Sequence, residues 1–429
     1  MSGLVAFMVT AAFGRAKLSM CTISGCSLCH HGRAYLCLGL SKSLSVPHML
    51  PPIPFNKPYL CGPETRYIEE AVRSGKISGD GIFTKKCHQF FEQQLGFRQV
   101  LLTTSCTDAL EMAALLLDLQ PGDEVIVPSY TFPSTPNAFV LRGAKIVFAD
   151  STALNPNLDA ASLEALVTPR TRAIVPVHYA GIACDMEAIQ AVATRHGLVV
   201  IEDAAHAIDA FYKDRALGTI GALAAFSFHE TKNIIAGEGG MLAVNDPQFA
   251  QRAEIIREKG TNRSSFFRGE VDKYGWVDVG SSFLPSDITA AFLYAQLEQM
   301  ATIQVRRKAI WQAYYEAFAP LASQGVGRPV LPDYATNNGH MFYLVCRDLA
   351  ERTALIEHLK GQQILSVFHY LSLHASPYYA AKHDGRALLW ADHYTNCIVR
   401  LPLYYELHAD LQNRVIDSVL NFYNTNCVG

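Results

Sequence analysis

Seven short apolar runs, beginning near residues 100, 124, 145, 173, 198, 224 and 241, recur through the middle of the chain. Most are separated by stretches whose apolar residues repeat at helical spacing, as Leu110, Ala113, Ala114 and Leu117 do after the first run. Short apolar strands alternating with helices can bury both strand faces only by building a mainly parallel sheet covered by helices, an α/β layer. The seventh run follows the sixth too closely for a helical crossover, so it is expected to run antiparallel. No G-x-G-x-x-G follows an early strand, which removes the usual dinucleotide signature of such sheets. The expected organisation is an atypical extension over 1–52, a large domain over 53–300, and a linking helix with a smaller α+β domain over 301–429.

The fifth and sixth runs carry the chemistry. Leu198 to Ile201 ends in Glu202 and Asp203, and the words A-A-H follow with His206. Ala224 to Phe228 contains Ser227 and leads to Lys232 and then to glycines 237, 239 and 240. A buried strand delivers its last residues to the carboxyl edge of the sheet, so Asp203, His206, Ser227 and Lys232 fall on one edge. A lysine amine there can condense with an aldehyde cofactor, and a carboxylate can keep a pyridine nitrogen protonated so that the ring draws electrons. Singly, each residue has a plainer reading: Lys232 as a solvated surface lysine, Asp203 as a helix cap. It is their order that points to pyridoxal 5'-phosphate.

With E-D-A-A-H-A, S-F-H-x-x-K-N and G-E-G-G in place, the chain resembles the sugar aminotransferases of the DegT/StrS family from Ile53 to its end. The resemblance implies the aspartate aminotransferase fold, fold type I, with a mostly parallel seven-stranded sheet and Lys232 and Asp203 as catalytic residues. I-P-F-N-K-P near Ile53, S-G-D-G-I-F-T-K from Ser78 and T-S-C-T-D-A-L-E-M-A-A from Thr104 are most similar to the transaminases that make dTDP-4-amino-4,6-dideoxygalactose for enterobacterial common antigen. Glutamate as amino donor, 2-oxoglutarate as its product, and a dTDP-linked keto sugar as acceptor are implied in the same way. A dehydratase branch of the family carries histidine where this chain has Lys232, which sets it apart.

Further cofactor contacts follow from the resemblance. The turn before the first long helix is implied to hold the phosphate through Cys106 and Thr107, with Ser227 assisting. Such a turn also offers free N–H groups and a favourable dipole to an anion, although capping by Ser105 or Thr107 would account for it equally. Relatives often have glycine at position 106, so contact there is expected through the backbone. Phe132 is implied to stack on the pyridine, with Tyr130 as competitor, and His206 to lie near the phenolic oxygen. Ser282 stands where many relatives have an asparagine that reaches the phosphate across a dimer, so a homodimer or a higher homo-oligomer is implied. His374 in H-Y-L-S-L-H-A-S-P-Y-Y lies in words found near the family's substrate pocket, where it can touch substrate or only pack.

The net charge of -3 gives no field for nucleic acid, and an apolar share of 50% with 17% charged residues describes a chain with a sizeable core. No apolar run is long enough for membrane insertion. Eleven cysteines, mostly scattered singly, suit a reducing compartment, and with no positive residue before Leu4 to Phe13 an export signal is not expected, so the location expected is cytoplasmic. Cys21, Cys26, Cys29, His30, His31 and Cys37 lack a clean paired spacing and no metal site is expected there. Lys259, Asn262, Arg263 and Arg268 can meet a nucleotide diphosphate or serve as solvated charge.

Overall fold

In the computed structural model the described residues are 51–426, so expectations for the first fifty residues, including the cysteine and histidine cluster, lie outside them. Two sheets organise the chain. The larger contains β1 (Val100–Thr103), β2 (Glu124–Pro128), β3 (Lys145–Ala149), β4 (Thr171–Ile174), β5 (Val199–Asp203), β8 (Leu223–Ser227) and β9 (Gly240–Val244), in the spatial order β1-β9-β8-β5-β4-β2-β3. A small ladder of β6 (Phe211–Tyr212) and β7 (Arg215–Ala216) interrupts the sequence between β5 and β8. Parallel pairing joins β3, β2, β4, β5 and β8, while β9 runs antiparallel to both of its neighbours. Apart from exposed Lys145 and Arg172 and one half-buried residue at each of two strand ends, the strands are buried throughout, as helices on both faces require.

The helices are α1 (Glu64–Arg73), α2 (Ile82–Gln94), α3 (Cys106–Leu116), α4 (Ser134–Val140), α5 (Met186–His196), α6 (Ala250–Arg257), α7 (Arg263–Phe267), α8 (Asp287–Glu298), α9 (Met300–Ala317), α10 (Leu349–Gly361), α11 (Leu389–Cys397) and α12 (Ala409–Asn426). Local signals fix several ends. Asp185 accepts from Ala188 N at the start of α5, and Gly197, with φ of 63°, closes it in the left-handed region. Between the large sheet and the second in sequence lie two helices, α8 and α9, broken at Gln299. Ala160–Leu166 form a 3-10 segment capped by Asp159.

The second sheet, β10 (Phe342–Val345), β12 (Ile398–Leu401) and β11 (Val367–Phe368), is antiparallel. Its apolar side chains Phe342, Leu344, Val399 and Leu401 share a core with Trp311 and Tyr314 of α9, Leu355 of α10 and Val415 of α12. Ile53 joins this same core, bonded to Gln363 and Leu365 through its backbone.

Alternation along β5 sends its two acids to opposite destinations. Glu202 turns inward, where its carboxylate accepts from Gly218 N at 2.8 Å, Ile220 N at 2.8 Å and Gly221 N at 2.6 Å. The His178 ring accepts Cys184 N–H at Nδ1, so its Nε2 carries the hydrogen and donates to Glu202 at 2.9 Å. Glu202 thereby ties the turn before β8 to β5, and Asp203 is left for the sheet edge.

Candidate active site

The connection between β8 and β9 explains the position of Lys232. Antiparallel neighbours can be joined by a short loop, and residues 228–239 fold back over the sheet edge through Phe228 N to Gly239 O, Glu230 N to Gly237 O and Ala236 N to Phe228 O. Gly237 takes φ of 79° in this loop. At its end Gly240 must lack a side chain, because a Cβ there would meet the Ser105 carbonyl carbon at 2.2 Å and Cys106 N at 2.4 Å. This close approach sets the start of α3 beside the end of β8.

The loop, the ends of β5 and β8 and the start of α3 enclose a cavity of about 850 Å³. Lys232, Asp203, His206, Ser227, Cys106, Thr107 and Phe132 all line it. Ser282 does not: it is exposed on the surface, bridged to Glu258. Of the two competing aromatics, Phe132 reaches the cavity and Tyr130 is buried among Tyr179, Tyr370 and Tyr394. His374 packs instead of lining the cavity, its Nδ1 bonded to Ser129 Oγ at 2.8 Å. Arg263 and Arg268 are held in ion pairs with Glu258, Glu254 and Glu270.

Asp203 is held from both sides. The Thr135 hydroxyl donates to Oδ2 at 2.7 Å and Ala205 N to Oδ1 at 3.1 Å, while Asp203 N donates to Pro176 O. Burial pushes its carboxyl above the ordinary range, and the bonds from Thr135 and Ala205 and the charge of Lys232 oppose that rise. For the Lys232 amine, burial is the larger cause and brings it down to about 8. Burial pushes the Cys106 thiol well up, so it stays protonated and Asp203 is the acid that opposes the fall at Lys232. Lys232 Nζ has no hydrogen-bond partner among the described residues.

Three imidazoles complete one wall. His206 stacks on His340 with ring centroids 4.3 Å apart, and His369 stacks on Tyr370 at 3.6 Å. Burial, reinforced by nearby positive charge, keeps all three histidines far below their ordinary value and therefore neutral. His206 Nδ1 is enclosed and has no partner. Sequence reasoning missed Thr135, His340, His369, Tyr370 and Arg400. A signal existed for the last: an arginine inside the apolar strand I-V-R-L.

The sequence pattern of the DegT/DnrJ/EryC1/StrS aminotransferase family matches residues 60–420. The chain belongs to this family. SpsC of Bacillus subtilis (strain 168), a spore coat polysaccharide biosynthesis protein, is 34% identical over 376 residues, 86% of this chain and 96% of its own. DesV from S. venezuelae is 31% identical with a TM-score of 0.79, over 87% of this chain and 99% of its own. Spr1654 from Streptococcus pneumoniae, solved in a PLP form, is 25% identical with a TM-score of 0.80, over 87% and 99%. Members of the DegT/DnrJ/EryC1/StrS family with this architecture are pyridoxal phosphate-dependent aminotransferases of fold type I, and so is this chain.

The residues present fit that cofactor. A buried carboxylate suits a pyridinium nitrogen, a depressed amine suits an aldehyde, and the orphaned His206 Nδ1 awaits a polar neighbour. At the start of α3, Ser105 Oγ is taken by Asp108 N, which leaves the Cys106 and Thr107 N–H groups for an anion.

Proposed function

We propose that this aminotransferase moves an amino group from glutamate to a nucleotide-linked 4-keto-6-deoxy sugar. The acceptor is dTDP-4-keto-6-deoxyglucose and the product dTDP-4-amino-4,6-dideoxygalactose, for a bacterial surface polysaccharide such as enterobacterial common antigen. The observation that carries the reading is Lys232, with its amine lowered to about 8, in the same cavity as an Asp203 fixed by two donors. For the sugar, support comes from the words around Ile53, Ser78 and Thr104 and from the similarity to a polysaccharide biosynthesis protein.

Bound pyridoxal phosphate supplies an aldehyde and a ring that accepts electron density from the carbon being deprotonated. The chain's own groups do the rest. Asp203 keeps the pyridine nitrogen protonated, and Thr135 and Ala205 hold its carboxylate in place. Cys106 and Thr107 at the start of α3 and the Ser227 hydroxyl bind the phosphate, while Thr107 is itself steadied by Ser134 at 2.9 Å. Phe132 covers one face of the ring, and His206 meets the phenolic oxygen. Lys232, once its amine is free and neutral, moves the proton at the reacting carbon. The 2-oxoglutarate leaves before the keto sugar enters, so the kinetics are ping-pong. Ser282 of a second copy closes the phosphate site in a homodimer, and the reaction takes place in the cytoplasm. No helix among the described residues is long and apolar enough to cross a membrane.

Protein loaded with pyridoxal phosphate is expected to absorb in the visible and to bleach with glutamate; Lys232→Ala should lose both the band and turnover. A protein that stays colourless would remove the enzymatic reading. A panel of dTDP- and UDP-linked keto sugars then identifies the acceptor, and turnover of a UDP sugar in preference to the dTDP sugar would replace the one named above.

A further inference from the structure

The loop that carries Lys232, residues 228–239, bonds mostly to itself through its backbone. The side-chain contacts of His229 stay within it: Nδ1 meets Thr231 Oγ1 at 2.9 Å and Nε2 meets Glu238 at 3.7 Å. Asn233 is different. It is buried, and among the described residues it is the one side chain of the loop that hydrogen-bonds outside it. Its Nδ2 donates to Asn338 O at 2.8 Å and to Gln304 Oε1 at 2.9 Å, and its Oδ1 meets His340 Nδ1 at 2.8 Å. These partners, 71 to 107 residues further along the chain, belong to α9 and to the segment that enters β10.

The receiving side is stiff. Arg307 of α9 donates to Gly339 O at 3.1 Å and to His340 O at 2.8 Å, and Gln304 donates to Asp209 at 3.1 Å. Gly339 takes φ of 61°, and a Cβ there would meet the Arg307 carbonyl carbon at 2.8 Å. Asn338 Nδ2 donates to His206 O at 2.7 Å and Ile208 O at 2.9 Å. Residues 338–340 therefore hold the turn with His206 through Asn338 and the loop with Lys232 through Asn233. Because Asn338 O can only accept, it fixes the Asn233 amide and makes His340 Nδ1 the donor to Oδ1. We propose that Asn233 is the positioning residue for the Lys232 amine: it ties the Lys232 loop to α9 and the second sheet, so that the freed amine stays at the reacting carbon. Lys232 Nζ has no partner of its own, so its place is set by its backbone, which Asn233 adjoins. A displacement of about 1 Å is enough to cost on the order of 100-fold in rate. This inference rests on the reading of Lys232 as the group that moves the proton.

The test mixes loaded Asn233→Ala with glutamate and with glutamate deuterated at Cα. The rate of bleaching at saturating glutamate should fall roughly 10- to 100-fold, while the concentration giving half that rate stays within about twofold. The isotope effect should persist or grow, because breaking the C–H bond is the step made slower. In cofactor-free protein, capture of pyridoxal phosphate should slow while its pH midpoint stays near 8, since Lys232 is still buried. A midpoint that climbs toward that of an ordinary lysine would mean that water has entered and that Asn233 only closes the structure, which would overturn the proposal. An unchanged bleaching rate, or an isotope effect that disappears, would overturn it as well. If Asn233→Ala does not fold, Gln304→Ala, which removes one of the three partners, must slow bleaching by about threefold, and an unchanged rate there counts against the proposal in the same way. Wild type that does not bleach with glutamate would instead remove the enzymatic reading on which this rests, a result separate from wild type and Asn233→Ala bleaching equally fast.

Discussion

The reactivity proposed for this site comes down to two side chains whose surroundings oppose their ordinary charge states. At pH 7 an amine with a pKa of about 8 is roughly one-tenth neutral, some 300-fold more than one at 10.5. Since the neutral amine is the nucleophile, capture of pyridoxal phosphate by the cofactor-free protein should speed up as pH rises and level off above about 8. Stopped-flow absorbance across pH 6–10 would show it, and a rate still climbing tenfold per unit at pH 9.5 would contradict the depressed amine. Asp203 is the counterpart. Burial raises its carboxyl and the Thr135 hydroxyl opposes that, so Thr135→Val should raise it further and loosen the hold proposed for it on the pyridine nitrogen. A hydrogen bond to a charged group is worth about 1.5 kcal/mol at the low end, so the dissociation constant for pyridoxal phosphate should rise roughly tenfold, read by equilibrium titration of the visible band.

At the level of elements, the packing is braced by contacts between segments far apart in sequence. The N-terminus of α2 has no cap of its own, since Gly81 stands at the capping position. Asp287, the first residue of α8, supplies it, accepting from Phe83 N, Thr84 N and the Thr84 hydroxyl at 3.2, 2.8 and 2.8 Å. Gly81 is required by the same contact, for a Cβ would sit 2.3 Å from the Asp287 carboxylate. The glycine-rich loop before α2 is thus pinned at one end by α8, and Arg257 pins it again through Asp80. Asp287→Ala leaves three buried donors without an acceptor and should cost about 3 kcal/mol or more. The denaturant midpoint should fall while the visible spectrum of the folded fraction stays the same. A midpoint within error of wild type would show that water replaces the carboxylate.

For the whole molecule, the sheet order places β8, β5 and β4 side by side, so that one edge collects Ser227, Asp203 and Val177, with Lys232 in the loop above. The other side of the question is what the surface leaves uncovered. Phe267, Tyr274, Trp276 and Val277 stand 53% exposed or more within ten residues of one another in sequence. A patch of this kind on a single chain is a candidate for burial in association. If the homodimer proposed above buries it, light scattering should give twice the 47.2 kDa of one chain, and Trp276→Asp should shift the equilibrium toward monomer. A wild-type monomer at micromolar concentration would remove Ser282 from the phosphate site.

By itself the sequence determined the layer and the direction of its strands, because apolar runs of strand length alternating with helical periods have few ways to bury themselves. The antiparallel last strand was legible from a connection too short for a crossover. It also placed Lys232, Asp203, His206 and Ser227 on one edge, since strand ends and the turns after them are local. Tertiary structure alone decided what faces those residues. Thr135 reaches Asp203 across 68 residues and Asp287 caps a helix 203 residues earlier. His340 and His369 flank strands of the other sheet, and Arg400 lies within one. Nothing in the local pattern of His340 or His369 marks them for the cavity, and the arginine in I-V-R-L shows only an unusual strand, because meeting at a site is a property of how two sheets pack and not of the order of residues in either. The break at Gln299 belongs with them, for neither proline nor glycine announces it in the chain.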